Sequence, residues 1–100
     1  MESLSKKQQL FLKKMSHHLK PVVWIGQAGL GENHLNEINS ALDIHELIKI
    51  KLAGSDKETR KKVNEEICKS TKASFINSIG QMAIIFRANK EQRKIVLPKI

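Results

Sequence analysis

The stretch Val22–Leu30, which reads VVWIGQAGL, contains the most informative signals of the fold. It opens with four apolar residues, two of them valine, and such a run is typical of a buried strand. Gly26 and Gly29 then permit a tight turn in which backbone N–H groups approach a ligand with no Cβ in the way. A helical pattern begins at Leu30, and a helix N-terminus offers unpaired N–H donors and a partial positive charge. The stretch therefore predicts a strand, a glycine turn and a helix start in direct succession.

The loop Gly26, Gln27, Ala28 and Gly29 is our candidate phosphate-binding site. It lacks the third glycine of a dinucleotide fingerprint and the Lys-Ser/Thr pair of a Walker loop. A Gly-x-x-Gly loop that clamps a nucleic-acid backbone is instead the mode of binding of KH modules. Because the spacing is short, a plain strand-to-helix turn that uses glycine stays open as the alternative.

The balance of charge narrows the class of partner. The 100 residues include 18 Lys and Arg against 10 Asp and Glu, which gives a net charge of +8. Such an excess favours a polyanionic partner, nucleic acid before a membrane surface. The length suits one domain over residues 1–100.

The sequence contains no apolar run of transmembrane length, and the stretch MESLSKKQQ lacks the apolar core of a signal peptide. The single cysteine, Cys68, cannot form an internal disulfide and fits a reducing compartment. We therefore expect a cytoplasmic protein without a membrane partner.

Hydrophobic periodicity predicts three helices and four strands. The predicted elements are a helix over Lys6–Leu19, a strand over Val22–Ile25, a helix from Leu30, a strand over His45–Ala53, a helix over Lys57–Lys72 and a hairpin over Ser74–Arg87. The βαβ crossovers make the first strands parallel, and the hairpin adds an antiparallel strand. The order of a helix followed by βαβαββ predicts a two-layer α/β (α+β) fold with a four-stranded mixed sheet.

Side-chain alternation predicts which faces are buried. The segment His45–Ala53 places Ile48, Ile50 and Leu52 on one face and Lys49 and Lys51 on the other, which favours one basic, solvated strand face. In the first helix, the residues expected to share one apolar face are Leu10, Phe11, Met15 and Leu19. A type II′ turn at Gly80-Gln81 predicts the pairs Ile79–Met82, Asn77–Ile84 and Phe75–Phe86, and this bulkier set is expected to face the helices.

Two groups of residues are candidates for contact with nucleic acid. Lys20, which precedes the first strand and which we expect beside the loop, is the strongest single basic candidate. The aromatic residues that could stack on bases are Trp24, Phe75 and Phe86. Because all three lie in apolar strands, packing in the core is the favoured interpretation for them.

Catalysis and metal binding have little support. The residues His17, His18, His34, His45 and Cys68 lack the spacing of a metal site. No motif places a Ser nucleophile or a pair of carboxylates. We expect no metal, no cofactor and no enzymatic activity.

In combination, several motifs resemble the CRM domain (chloroplast RNA splicing and ribosome maturation). They are Leu4-Ser5-Lys6-Lys7-Gln8, His18-Leu19-Lys20-Pro21-Val22-Val23, Ile25-Gly26-x-x-Gly29-Leu30, His45-Glu46-Leu47-Ile48-Lys49, Ile79-Gly80 and Arg93-Lys94-Ile95. The resemblance implies a fold similar to the C-terminal domain of bacterial translation initiation factor three, with strand order 1-2-4-3 and an antiparallel last strand. In that order Lys49, Lys51 and Arg87 are expected to project from one sheet face. Whether the N-terminal helix covers part of this face stays open.

The same resemblance implies RNA binding through the Gly-x-x-Gly loop and the adjoining basic surface. The length is similar to that of the stand-alone bacterial YhbY-type members, which implies a monomer that associates with 23S rRNA or pre-50S particles and assists maturation of the large ribosomal subunit. Gln27 stands where the family frequently has Lys, so we expect the flanking lysines, rather than the loop itself, to provide the positive charge. The alternatives are a general RNA-binding or chaperone protein that acts on other structured or small RNAs, and a module that docks on an acidic ribosomal protein.

Overall fold

Within residues 4–99, which the computed structural model describes, the chain forms three helices and one four-stranded sheet. The elements are α1 (Lys6–Ser16), β1 (Pro21–Ile25), α2 (Glu32–His45), β2 (Leu47–Leu52), α3 (Lys57–Thr71), β3 (Ser74–Ile79) and β4 (Met82–Phe86). This is the predicted order of a helix followed by βαβαββ. None of the helices in this part of the chain is long and apolar enough to cross a bilayer.

The sheet has the strand order β1-β2-β4-β3. β1 and β2 are parallel, whereas β4 runs antiparallel to both of its neighbours. Gly80 has a φ of +57°, as the first central residue of a type II′ turn requires. The mixed sheet and its expected order are therefore confirmed.

The β3–β4 register follows the prediction for only half of the hairpin. Ile79 pairs with Met82 and Asn77 with Ile84, but the register then shifts, so that Phe75 pairs with Ile85. A β-bulge inserts one residue and turns the later side chains to the other face. The predicted pair of Phe75 with Phe86 is therefore wrong.

Both faces of the sheet carry apolar residues. α2 and α3 cover one face, where the larger core cluster includes Val23, Ile38, Ile50 and Ile85. α1 and the C-terminal segment, residues 88–97, cover part of the opposite face. The smaller cluster there consists of the buried residues Leu12, Leu47, Ile84 and Phe86, with the partly buried Ile95 and Leu97 against them. The expected two layers are the sheet and the α2–α3 pair, and α1 adds a partial third.

The bulkier β4 residues, which were predicted to face the helices, do not contribute to the core under α2 and α3. Ile84 and Phe86 face α1, whereas Ala83 and Ile85 face α2 and α3. The set does face a helix, but not the pair that covers the larger core.

α1 is shorter than predicted and buries a different face. It ends at Ser16, and a turn at His17 and His18 precedes the residues before β1. Its buried residues are Leu12 and Ser16, whereas Leu10 is 53% exposed. The apolar run at positions 10–12 fits two helical phases, and contact with β2, β3 and β4 selects the one that includes Leu12.

Candidate nucleic-acid interface

The loop after β1 is a single tight turn. The Gly29 N–H donates to the Gly26 carbonyl oxygen at 3.0 Å, and Gly29 has a φ of +94°. A Cβ built on either glycine meets no heavy atom within 4 Å. The outer side of the turn is therefore open, and only Gly29 requires glycine for its backbone conformation.

Contacts with the turn after β2 hold the loop in place. The Ala53 N–H donates to the Ile25 carbonyl oxygen at 2.9 Å, and Gln27 Nε2 donates to the Gly54 carbonyl oxygen at 3.3 Å. A Cβ on Gly54 would lie 2.5 Å from Gln27 Cγ, so the two turns are in close contact. The side chain of Gln27 thus has an intramolecular partner, and Ala28 is exposed.

The start of α2 follows the loop and is capped in a way that the sequence analysis missed. Gly31 is the N-cap residue, and its N–H donates to His34 Nδ1 at 2.9 Å. In a capping box this reciprocal acceptor is usually Glu or Gln at the third helical position, and His34 occupies that position here. The spacing of three residues between Gly31 and His34 could have indicated this cap, although histidine is an unusual residue at that position.

Lys49 and Lys51 project from the sheet face that α1 covers in part. Both are partly exposed, and they alternate with the buried residues Ile48, Ile50 and Leu52 as predicted. α1 contacts the part of this face near the start of β2, where Leu47 is buried against Leu12. The open part of the face is the part next to the glycine loop.

Trp24 lies on this open part and is 60% exposed. It is the register partner of Lys51, whose Nζ lies 4.6 Å from the centroid of the indole ring. Phe75 is 47% exposed, whereas Phe86 is buried. Packing in the core is therefore confirmed for Phe86 and wrong for Trp24 and Phe75. Residues 22–25 are all apolar, so the sequence offered no signal for Trp24, and the alternation of exposed Val22 and Trp24 with buried Val23 and Ile25 is visible only in the structure.

Lys20 is exposed, but it does not lie beside the loop. It precedes β1, whereas Gly26 follows it, and a strand of that length separates its ends by about 16 Å. Lys20 instead lines a cleft of about 370 Å³ between α1 and the first residues of β1 and β2, together with His18, Val22 and Leu47. The predicted proximity is wrong because a strand carries the chain away from Lys20.

Arg87 is on the opposite side of the sheet from Lys49 and Lys51. Its guanidinium donates to Asn39 Oδ1 at 2.8 Å, to the Asn39 carbonyl oxygen at 3.1 Å and to the Thr71 carbonyl oxygen at 2.7 Å. It also forms an ion pair with Asp43 at 2.8 Å. The prediction of a shared face is wrong, because alternation along β4 turns Arg87 toward α2 and α3.

Glu46 was not singled out by the sequence analysis, although it is fully buried. Its carboxylate accepts hydrogen bonds of 2.7 Å from the N–H groups of Asn89, Lys94 and Ile95. Burial alone would raise the pKa of this carboxyl, but these three donors and the nearby Arg93 guanidinium lower it below its usual value. Glu46 therefore holds the C-terminal segment against the sheet.

Two observations concern metal binding and the reactivity of the single cysteine. Between residues 4 and 99, no group of three or more His, Cys, Asp or Glu side chains is placed to hold a metal ion. Burial raises the pKa of the Cys68 thiol, which disfavours the reactive thiolate.

Comparison of this sequence with known protein families identifies the family of the chain. The model of the CRS1/YhbY (CRM) domain matches residues 4–87, and this match includes every helix and strand. The chain belongs to the CRM domain family. The C-terminal segment that Glu46 holds lies beyond the matched part of this CRM domain.

Relatives of this CRM domain share nearly its whole length. An RNA-binding protein of Haemophilus influenzae is 46% identical over 99 residues, which are 99% of each chain. The probable RNA-binding protein YqeI of Bacillus subtilis is 32% identical, over 95% of this chain and 99% of YqeI. A Staphylococcus aureus protein, described with its solution structure as a candidate RNA-binding protein, matches with a TM-score of 0.84 and 31% identity, over 96% of this chain and all of that one.

Proposed function

We propose that this protein binds RNA through the Gly26–Gly29 loop and the open face of β1 and β2, and that it assists maturation of the large ribosomal subunit without catalysing a reaction. The observation that supports this best is the placement of Lys49 and Lys51 on the open sheet face that continues from the loop. The names of the relatives support RNA as the partner.

The loop contributes backbone contacts. Its outer side is free of protein atoms at both glycines, so a phosphate group can approach the main chain closely. The N-terminus of α2 follows within a few residues and favours an anion through its partial positive charge. Ala28 and the main chain of Gln27 are the parts of the loop that we assign to this contact.

The lysines contribute charge along β1 and β2. Lys51 is nearest the loop end of β2, Lys49 lies further back, and Lys20 is at the far end of β1 beside the cleft. A strand of RNA that runs from the loop toward Lys20 passes all three. We leave Arg87 out of this surface because its guanidinium donors already bind α2 and α3.

Paired charge removal tests this assignment. Lys49→Gln with Lys51→Gln removes two charges from the proposed surface, and Lys57→Gln with Lys61→Gln removes the same charge from exposed positions of α3. Loss of two phosphate contacts should weaken RNA binding and flatten the log–log salt dependence by about 1.4 for a single strand. The α3 variant should lose less, mainly through long-range attraction that fades at high salt.

The two variants should also differ in how they sediment in sucrose gradients of cell lysate. The wild-type protein and the α3 variant should sediment with precursors of the large subunit and be released by RNase, whereas the β2 variant should stay near the top. Equal losses in both variants would mean that net charge alone matters. A larger loss in the α3 variant would place the RNA at the groove of about 1030 Å³ between α3 and β3. Wild-type sedimentation with small RNAs instead of large-subunit particles would favour the chaperone function.

A further inference from the structure

A row of side chains crosses the open part of the sheet, and no function has yet been assigned to it as a unit. The register pairs Trp24 with Lys51, Lys51 with Met82, and Met82 with Ile79. The row therefore spans all four strands at the end nearest the glycine loop. Trp24 is 60% exposed and Ile79 is 50% exposed.

Large apolar residues that stay exposed on a sheet face can mark a binding site. In this row Trp24 and Ile79 are exposed on the two edge strands, and Lys51 and Met82 between them are partly exposed. α1 covers the neighbouring part of the same face, where Ile84 and Phe86 are fully or almost fully buried. The row lies just outside that cover. Its exposure therefore reflects where α1 sits rather than a lack of apolar character in the strands.

We propose that this row is a stacking platform for unpaired bases of the RNA strand that the glycine loop holds, with Trp24 as its principal contact. This inference rests on the proposed RNA-binding function. It adds that the ligand at this surface is single-stranded, because bases inside a duplex are stacked on one another and cannot lie on a side chain.

The surroundings of Trp24 favour RNA over another apolar partner. The Lys51 ammonium lies 4.6 Å from the ring centroid, so a base on the exposed part of the ring has a cation beside its flanking phosphate. Lys49 adds a second cation on the same face. An apolar protein surface would bury these charges without a partner, which is costly. The platform is also continuous with the loop, since Ile25 alone separates Trp24 from Gly26.

The composition of the chain allows a direct test. Trp24 is the single tryptophan, and the chain has no tyrosine, so intrinsic fluorescence excited in the indole band reports on this residue alone. The probes are a labelled single-stranded oligouridylate and a blunt RNA duplex of the same length. Anisotropy of the label measures binding, and indole fluorescence measures contact with Trp24. The variants are Trp24→Leu and the aromatic control Trp24→Phe.

The oligouridylate should quench the indole fluorescence with the same midpoint as the anisotropy change, and the duplex should not. Trp24→Leu should weaken binding of the single strand by about tenfold, while Trp24→Phe should keep most of the affinity. Because Trp24 is largely exposed, both variants should keep the wild-type unfolding midpoint.

Binding of the single strand without quenching, together with unchanged affinity of Trp24→Leu, would overturn the platform and leave the proposed RNA-binding function standing. Absence of binding to either RNA would overturn both. A wild-type dimer in sedimentation equilibrium that Trp24→Leu converts to a monomer would assign the row to contact between two copies and would also overturn the platform.

Discussion

At the scale of single residues, the two glycines of the loop differ in a way that their spacing does not reveal. Both face open space, but only Gly29 has a positive φ, of +94°. A Cβ at Gly26 therefore has no heavy atom within 4 Å beyond its chain neighbours and needs no strained backbone. A side chain at Gly29 strains the backbone wherever it points.

We expect Gly26→Leu to separate binding from folding. It should leave the urea unfolding midpoint near that of the wild type and weaken RNA binding strongly, because the side chain occupies the space where a phosphate would approach the main chain. Gly29→Leu should lower the free energy of unfolding by about 1–2 kcal/mol as well. Urea unfolding and anisotropy of labelled RNA measure the two effects. Wild-type affinity in a folded Gly26→Leu protein would remove the loop from the interface.

At the scale of elements, Arg87 joins the end of β4 to α2 and α3. Its guanidinium reaches two oxygens of Asn39 on α2 and the last carbonyl oxygen of α3, at Thr71. The ion pair with Asp43 contributes less, because the Asp43 side chain is 68% exposed and exposed pairs are weak. The hydrogen bonds to Asn39 and Thr71 are therefore the main contribution of Arg87 to stability.

Arg87→Ala should lower the free energy of unfolding by about 2 kcal/mol, since hydrogen bonds from a charged donor are lost. Asp43→Ala, which removes only the ion pair, should cost less than about 1 kcal/mol. Affinity for RNA should change little in either folded variant. Urea unfolding and RNA titration at a temperature where both variants are folded measure this. A stable Arg87→Ala protein with weakened RNA binding would restore Arg87 as an RNA contact.

At the scale of the whole molecule, Glu46 connects segments that are far apart in sequence. It lies between α2 and β2 with a φ of +64°, and its carboxylate accepts from the main chain of Asn89, Lys94 and Ile95. The segment held in this way places Ile95 and Leu97 against α1 and the sheet. The position of α1, and with it the boundary of the open face, therefore depends partly on this carboxylate.

This carboxylate also makes stability depend on pH. The folded pKa of Glu46 lies below its ordinary value of 4.5. Its contribution to the free energy of unfolding is therefore fully present above that pH and is lost as the pH falls through the folded pKa. Glu46→Gln should be less stable than the wild type at pH 7 by about 1–3 kcal/mol, and it should lose less stability between pH 7 and pH 3.

Hydrogen exchange should locate the effect. In Glu46→Gln the amides of Asn89, Lys94 and Ile95 should exchange faster than in the wild type. Asp56→Asn is the matched control, since Asp56 also has a lowered pKa, caused first by its hydrogen bonds to Thr59, and lies beyond the opposite end of β2 from Glu46. Unchanged exchange at Asn89 in Glu46→Gln would show that the segment is held by apolar contacts alone.

The sequence by itself determined the order of the elements and the mixed sheet. Local signals were sufficient there: the glycines at 26, 29 and 80 mark turns, and the alternation from Ile48 to Leu52 marks a strand. The resemblance added the strand order. The turns and the strand alternation depend on residues that are close together in the chain, so their physical causes can be recognised without a structure.

Only the tertiary structure decided which faces are open. The bulge between Phe75 and Asn77 and the packing phase of α1 result from contacts between distant segments. Arg87 belongs to the core side and Trp24 is exposed, because these placements depend on sheet parity and on where α1 stops. The exposure of a side chain is set by what packs over it, and the sequence pattern of a strand is the same whether or not a helix covers it.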